Sequence, residues 1–312
     1  MKFLSDCGPQ RKYCLVAILY CTFFISLKLD VASGQEHSKM LSLTPLQQAE
    51  ALLSMRHYDE SIKAYQELLD GEERSYAVRG LIRAYRSAGK RKEGLQSMRS
   101  RLAAAREPAD YLYGLGYWFF LEEQMDKAQM YLEEAVEIRP NHSLALNSLG
   151  AVYSEDGRHE EAWKKVKRAL QLNPSELMFY HNLYRVYKKG GNEKRFLREF
   201  KAQTQSGQSA LALGYGKVLA INLRQAGFKL YSKGAIKQAT DKFEEMASIY
   251  KEINYIPGLT AAWFSLGLLY EEQQKADLAI EFFRKVLKLS PGHLQAGQRL
   301  EAIEKEKSDL SK

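Results

Sequence analysis

The sequence predicts an all-α solenoid of about seven helical hairpins closed by a C-terminal capping helix, and three observations carry that expectation. Leu112, Leu115, Gly116, Phe119, Ala128, Leu132, Ala135 and Pro140 return after 34 residues as Leu146, Leu149, Gly150, Tyr153, Ala162, Val166, Ala169 and Pro174. The same ruler fits Trp263, Leu266, Gly267, Tyr270, Ala279, Phe283, Val286 and Pro291. The spacing also makes mechanical sense. Small residues such as Gly116 and Ala128 sit where two helix backbones press together, Phe119 and Leu132 fill the gaps, and Pro140, which has no amide proton, stops the second helix. Such a hairpin cannot bury its apolar face alone, so neighbours must stack.

Residues 1–34 differ in kind from the rest. Lys2, Arg11 and Lys12 precede an uncharged apolar run from Tyr13 to Leu27, followed by Ala32, Ser33 and Gly34, which is the order of a secretory signal peptide. Cleavage near Ser33 or Gly34 is one reading, and an uncleaved anchor extended by Leu29 and Val31 is a second. A buried helix of the domain is the third. With the positive charge ahead of the run, both leading readings place the repeats across a membrane, in an extracytoplasmic compartment. All three cysteines, Cys7, Cys14 and Cys21, lie in this leader, so the remainder needs no disulfide.

After the leader, unit starts at 42, 75, 109, 143, 177, 220 and 260 give steps of 33, 34, 34, 34, 43 and 40. The units at 109, 143 and 260 are strong. Weaker ones are marked by Ala49, Tyr58 and Tyr65; by Leu81, Tyr85 and Gly94; by Leu183, Tyr187 and Phe200; and by Gly227, Ala239 and Phe243. In the unit at 177, Phe196 stands where a small residue belongs. An N-terminal array of about five units is thus expected over 42–202, and two more units over 220–291. Between them, 203–219 opens with the polar stretch 203–209, read as a hinge or as a lengthened helix. Residues 292–312, with Leu294, Leu300 and Ile303 among Gln, Glu and Lys, suit a polar capping helix.

The chain carries 46 Lys and Arg against 38 Asp and Glu, a net charge of +8. Residues 79–106 hold nine basic side chains against the single acid Glu93, and 185–201 form a second basic cluster. Export and the packing pattern argue against nucleic acid, whereas anionic lipid remains an alternative partner for a basic surface. No chemistry is spelled out. The six histidines share no helix turn and stand near no cysteine, and no nucleophile elbow, phosphate loop or dinucleotide fingerprint occurs. Repeats and cap leave no room for a catalytic domain, so neither an enzyme nor a metal or cofactor is expected.

These packing residues resemble the tetratricopeptide repeat family over nearly everything after the leader. The resemblance implies that positions 2, 5, 9 and 12 of each unit line a concave, protein-binding groove. Carried over, these are Tyr76, Arg79, Arg83 and Arg86; Asp110, Tyr113, Tyr117 and Phe120; Asn147; His181 and Arg185; and Arg224. Independently, Arg79, Arg83 and Arg86 share a helix face by i, i+4 and i+7 spacing, where like charges repel by a few tenths of a kcal/mol. An acidic peptide would offset that repulsion. The expectation is an exported or anchored scaffold with an acidic protein partner, acting as adaptor or assembly factor in an envelope or secretory-pathway complex.

Overall fold

The computed structural model describes residues 43–207 and 209–310; the leader, with its cysteines, lies outside them. Among the described residues there are fifteen α-helices, and fourteen pair as seven hairpins. These are α1 (Pro45–Ser54) with α2 (Tyr58–Glu67), α3 (Arg74–Ser87) with α4 (Arg91–Ala104), α5 (Ala109–Leu121) with α6 (Met125–Ile138), and α7 (Ser143–Glu155) with α8 (His159–Leu172). Next come α9 (Leu177–Lys189) with α10 (Glu193–Gln205), α11 (Ser209–Ser232) with α12 (Ile236–Glu252), and α13 (Ile256–Glu272) with α14 (Ala276–Leu289). The last helix, α15 (Leu294–Leu310), packs on α14 as the expected cap. Two compact units divide inside α10, one ending at Phe196 and the other running from Leu197.

Every hairpin closes with the same three-residue turn. Its third residue donates its backbone N–H to the carbonyl five positions back, as in Gln124 to Phe119 at 2.9 Å, Arg158 to Tyr153 at 2.8 Å and Lys275 to Tyr270 at 2.9 Å. The middle residue is left-handed in all seven: Arg56, Gly89, Glu123, Gly157, Gly191, Gly234 and Gln274. This is a Schellman closure, which satisfies carbonyls that a helix end would otherwise leave bare. The entry to α1 is equally local. Thr44 Oγ1 accepts from the Gln47 N–H, Gln47 Oε1 accepts from the Thr44 N–H, and Pro45 occupies the first helical position.

Inside the hairpins the small residues do what their spacing predicts. A Cβ on Gly150 would stand 2.5 Å from Val166 and 2.8 Å from the Ala162 carbonyl oxygen, so α7 and α8 meet backbone to backbone. Ala128, Ala162 and Ala279 are wholly buried at the matching positions. Bulky Phe196 is also fully buried; it meets Tyr184 edge-on at 5.3 Å, while the adjacent Arg195 guanidinium lies 4.2 Å from the Trp163 ring centre. The fifth hairpin therefore replaces a close backbone approach with an aromatic contact, and the cation-π contact ties it to α8 of the fourth. Residues 203–205 end α10, and α11 begins at Ser209, well before the unit start expected near Ala220. The 43-residue step is in this way taken up largely by a helix of 24 residues.

One buried carboxylate ties three consecutive hairpins together. Asp110, on the first turn of α5, is 2% exposed. It accepts from both Nη atoms of Arg139 at 3.0 Å and from Ser75 Oγ, and Arg74 Nη1 lies 3.8 Å away. His142 Nδ1 accepts from the Ala145 N–H and so caps α7, which leaves the ring proton on Nε2, 3.2 Å from Asp110 Oδ1. Burial pushes the Asp110 carboxyl up, but His142, Arg139 and Ser75 outweigh it and hold the group well below the usual carboxylate range. The repeat resemblance implies a groove position for Asp110; the structure places it in the core because its partners arrive from α3 and from the link between α6 and α7.

Two measurements test these features. Glu123→Gly is expected to stabilise by about 1 kcal/mol and Gly157→Ala to destabilise by a similar amount, since a left-handed residue with a Cβ costs roughly 1–2 kcal/mol. Urea melts of the two variants should move in opposite directions. Asp110→Asn is expected to cost about 1–3 kcal/mol at neutral pH, because Ser75, Arg139 and His142 lose their charged acceptor while Arg139 stays partly in water. A depressed folded pKa gives stability that is complete above the unfolded value of about 3.9 and is lost as pH falls through the folded one. The gap between wild type and variant should therefore shrink below about pH 4. A gap independent of pH would refute the charge account.

Candidate functional site

First helices of successive hairpins in the N-terminal unit set the candidate face. Helix α3 supplies Tyr76, Arg79, Arg83 and Arg86; α5 supplies Tyr113, Tyr117 and Phe120; α7 supplies Asn147; and α9 supplies His181 and Arg185. Much of this face is filled by its own side chains. The Tyr76 hydroxyl accepts from Asn173 Nδ2 at 2.7 Å, and Arg79 Nη1 stands 3.2 Å from Met178 Sδ, so α3 reaches the start of α9 three hairpins on. Tyr113 is 1% exposed, between Tyr117 with ring centres 6.1 Å apart and His142 at 5.1 Å. Asn147, 2% exposed, accepts from Asn182 Nδ2 at 3.0 Å.

Tyr113 and Asn147 therefore form a floor, not the open ligand surface that the sequence suggests. The floor remains electrically active. Burial works against the Arg79 charge, but Tyr113, Glu176, Tyr117 and Glu50 outweigh it and raise its pKa, so the guanidinium stays charged. Burial raises the Tyr113 and Tyr117 phenols, with Arg79 opposing in both, and burial lowers the half-buried His181.

The remaining cations are answered by acids from neighbouring hairpins. Arg83 Nη1 lies 2.8 and 3.1 Å from the two oxygens of Glu50 on α1. Arg86 pairs with Glu122 at the end of α5 and donates to the Leu121 carbonyl at 3.0 Å. Arg185 Nη2 is 3.9 Å from Glu155 at the end of α7, which also takes Lys189. The repulsion expected among Arg79, Arg83 and Arg86 is thus relieved within the protein. Exposure separates these pairs: Arg86 and Glu122 are 20% and 24% exposed, against 39% and 36% for Arg83 and Glu50, and 63% for Arg185.

Phe120 is half-buried at the end of α5. Arg224 belongs to α11 in the C-terminal unit, where its charge opposes the burial that pushes the Tyr250 phenol up to about 12. Among the described residues, no group of three or more His, Cys, Asp or Glu side chains is arranged to hold a metal ion.

Comparison with known proteins follows the hairpins. Tetratricopeptide repeat models match residues 107–175 and 260–293. Among solved structures, the Cut9–Hcn1 hetero-tetramer of the APC/C is 15% identical with a TM-score of 0.45, over 99% of this chain and 59% of that one, so the chain spans little more than half its length. A tetratricopeptide repeat protein from Parabacteroides merdae is 14% identical over 87% of this chain and all of that one, with a TM-score of 0.38. MamA is 20% identical over 50% of this chain and 86% of that one, with a TM-score of 0.35. No curated protein matches the sequence. The hairpins α5–α6, α7–α8 and α13–α14, which carry the fullest packing pattern, are tetratricopeptide repeats.

Proposed function

We propose that the protein is an exported or membrane-anchored scaffold that holds an acidic segment of a partner protein on the inner face of its N-terminal unit. Tetratricopeptide repeats favour protein binding over catalysis, and one observation carries the finer reading: Arg83 is balanced by Glu50 in a pair that is 39% and 36% exposed. A solvent-exposed pair of this kind is worth about 0–1 kcal/mol. A partner carboxylate can replace Glu50 at little cost and gain the planar two-pronged contact that guanidinium offers. Arg185, held only at 3.9 Å by Glu155, extends the same cationic rim beyond the floor of Arg79, Tyr113 and Tyr117.

Affinity capture with the full-length protein from its native compartment supplies the partner for the binding test. Arg83→Glu combined with Arg185→Glu is expected to weaken that complex at least about tenfold while circular dichroism stays unchanged, because both side chains reach water and neither belongs to the core. Glu50→Gln, which removes the internal competitor, should tighten it, and affinity should fall as salt rises. Reversal of Arg79 is a poor test, since its packing on Met178 makes it part of the fold. Unchanged affinity in a folded Arg83/Arg185 double variant would reject the acidic-segment reading.

Export rests on Lys2, Arg11 and Lys12 ahead of the Tyr13–Leu27 run. Residues 1–40 fused to a reporter that works only outside the cytosol should switch it on. A silent reporter sinks the export reading, and N-terminal sequencing of the mature protein separates a cleaved signal from an anchor.

A further inference from the structure

Two outer surfaces stand open, one in each compact unit, and they are opposite in character. In the C-terminal unit, α12 and α14 flank a slot of about 650 Å³ with Trp263, Leu266 and Phe282 on its floor and Lys251, Lys285 and Lys288 at its rim. Its one acid, Glu244, is occupied by the Tyr270 hydroxyl. Lys285 shares its ammonium with Glu281 at 2.5 Å, while Lys251 and Lys288 make no ion pair among the described residues. In the N-terminal unit, α6 presents Met130 and Ile138, 52% and 49% exposed. Eight residues apart, they fall on one stripe of the helix with Glu134 between them and Glu133 and Glu137 beside it.

The two surfaces also match in length. Met130 to Ile138 spans about 12 Å at 1.5 Å per residue, and the stretches that line the slot, Glu244–Lys251 and Phe282–Leu289, run about 10 Å each. We infer that α6 of one copy seats in the α12–α14 slot of a second copy, with Met130 and Ile138 over Trp263 and Phe282 and Glu134 and Glu137 facing Lys285 and Lys288. Apolar contact supplies the attraction, and the opposed charges fix the register. Donor and acceptor surfaces differ, so a pair joined by one such contact still offers one free α6 and one free slot to further copies. The contact uses none of the cationic inner rim, so it stands or falls apart from the proposed partner site.

The test is sedimentation of the full-length protein across concentration and salt. Average mass is expected to rise with concentration and to fall with salt. Lys285→Glu with Lys288→Glu in one variant, and Glu134→Lys with Glu137→Lys in another, should each weaken self-association about tenfold or more. Mixing the two variants should restore it, because each slot then meets an α6 of opposite charge. Three results would overturn the inference: a mass that does not change with concentration, association unaffected by either reversal, or a mixture no more associated than its components.

Discussion

A pair of short antiparallel helices exposes more apolar surface than it can cover, and everything in this protein follows from that deficit. Gly150 and Ala162 close one hairpin on itself, backbone to backbone, but each hairpin still borrows its missing wall from the next, and the last has α15 against it. Apolar stacking alone would let hairpins slide or rotate. Asp110 removes that freedom in the N-terminal unit, because its acceptors are filled from α3, from the end of α6 and from the cap of α7 at once. A buried ion pair is a weak source of stability when set against an apolar replacement, and a strong source of uniqueness once its partners are in place. The node therefore fixes how three hairpins sit on one another more than it adds to their cohesion.

The same economy shapes the inner face. Three arginines on one helix face read as an unmet demand for a ligand, yet Glu50 and Glu122 meet much of it from adjacent hairpins. Between hairpins, charge is used as mortar: Lys189 with Glu155, Arg299 with Glu271, and the hydroxyls of Tyr153 and Tyr231 on Glu133 and Glu272. What separates a structural pair from a recognition pair on this face is access to water. Arg86, held between a carboxylate and a carbonyl, has little to gain from a visitor; Arg83 and Arg185 have more.

The architecture was legible because packing at close range leaves a periodic mark: Gly116, Gly150 and Gly267 recur with their alanines and prolines whatever else the unit contains. The turns left a mark too, in Gly89, Gly157, Gly191 and Gly234, although Arg56, Glu123 and Gln274 take the same conformation and blur it. The candidate face was legible only as a set of positions. Position alone cannot tell that Tyr113 and Asn147 are covered, because the covering groups, His142 and Asn182, come from later hairpins. Nor does spacing reveal that Tyr76 meets Asn173, a contact between residues 97 apart that exists only once several hairpins have stacked. His142 and His293 offered a subtler signal: each stands two residues after a proline, accepts from the N–H three residues on, and lies against an aromatic ring of the preceding hairpin.

The invariance of the seven turns has a consequence for how such a chain changes length. Helices here run from 10 to 24 residues, and the links between hairpins vary as well, while every turn inside a hairpin keeps three residues and one left-handed centre. A residue added within a turn would rotate the second helix by about 100° and carry its apolar stripe out of register. The links between hairpins keep no such fixed length: 68–73, between α2 and α3, holds six residues, and 253–255, between α12 and α13, holds three. The hairpin is thus the indivisible grain of the molecule, and its variation in length falls in the helices and in the seams between grains, never in the turn.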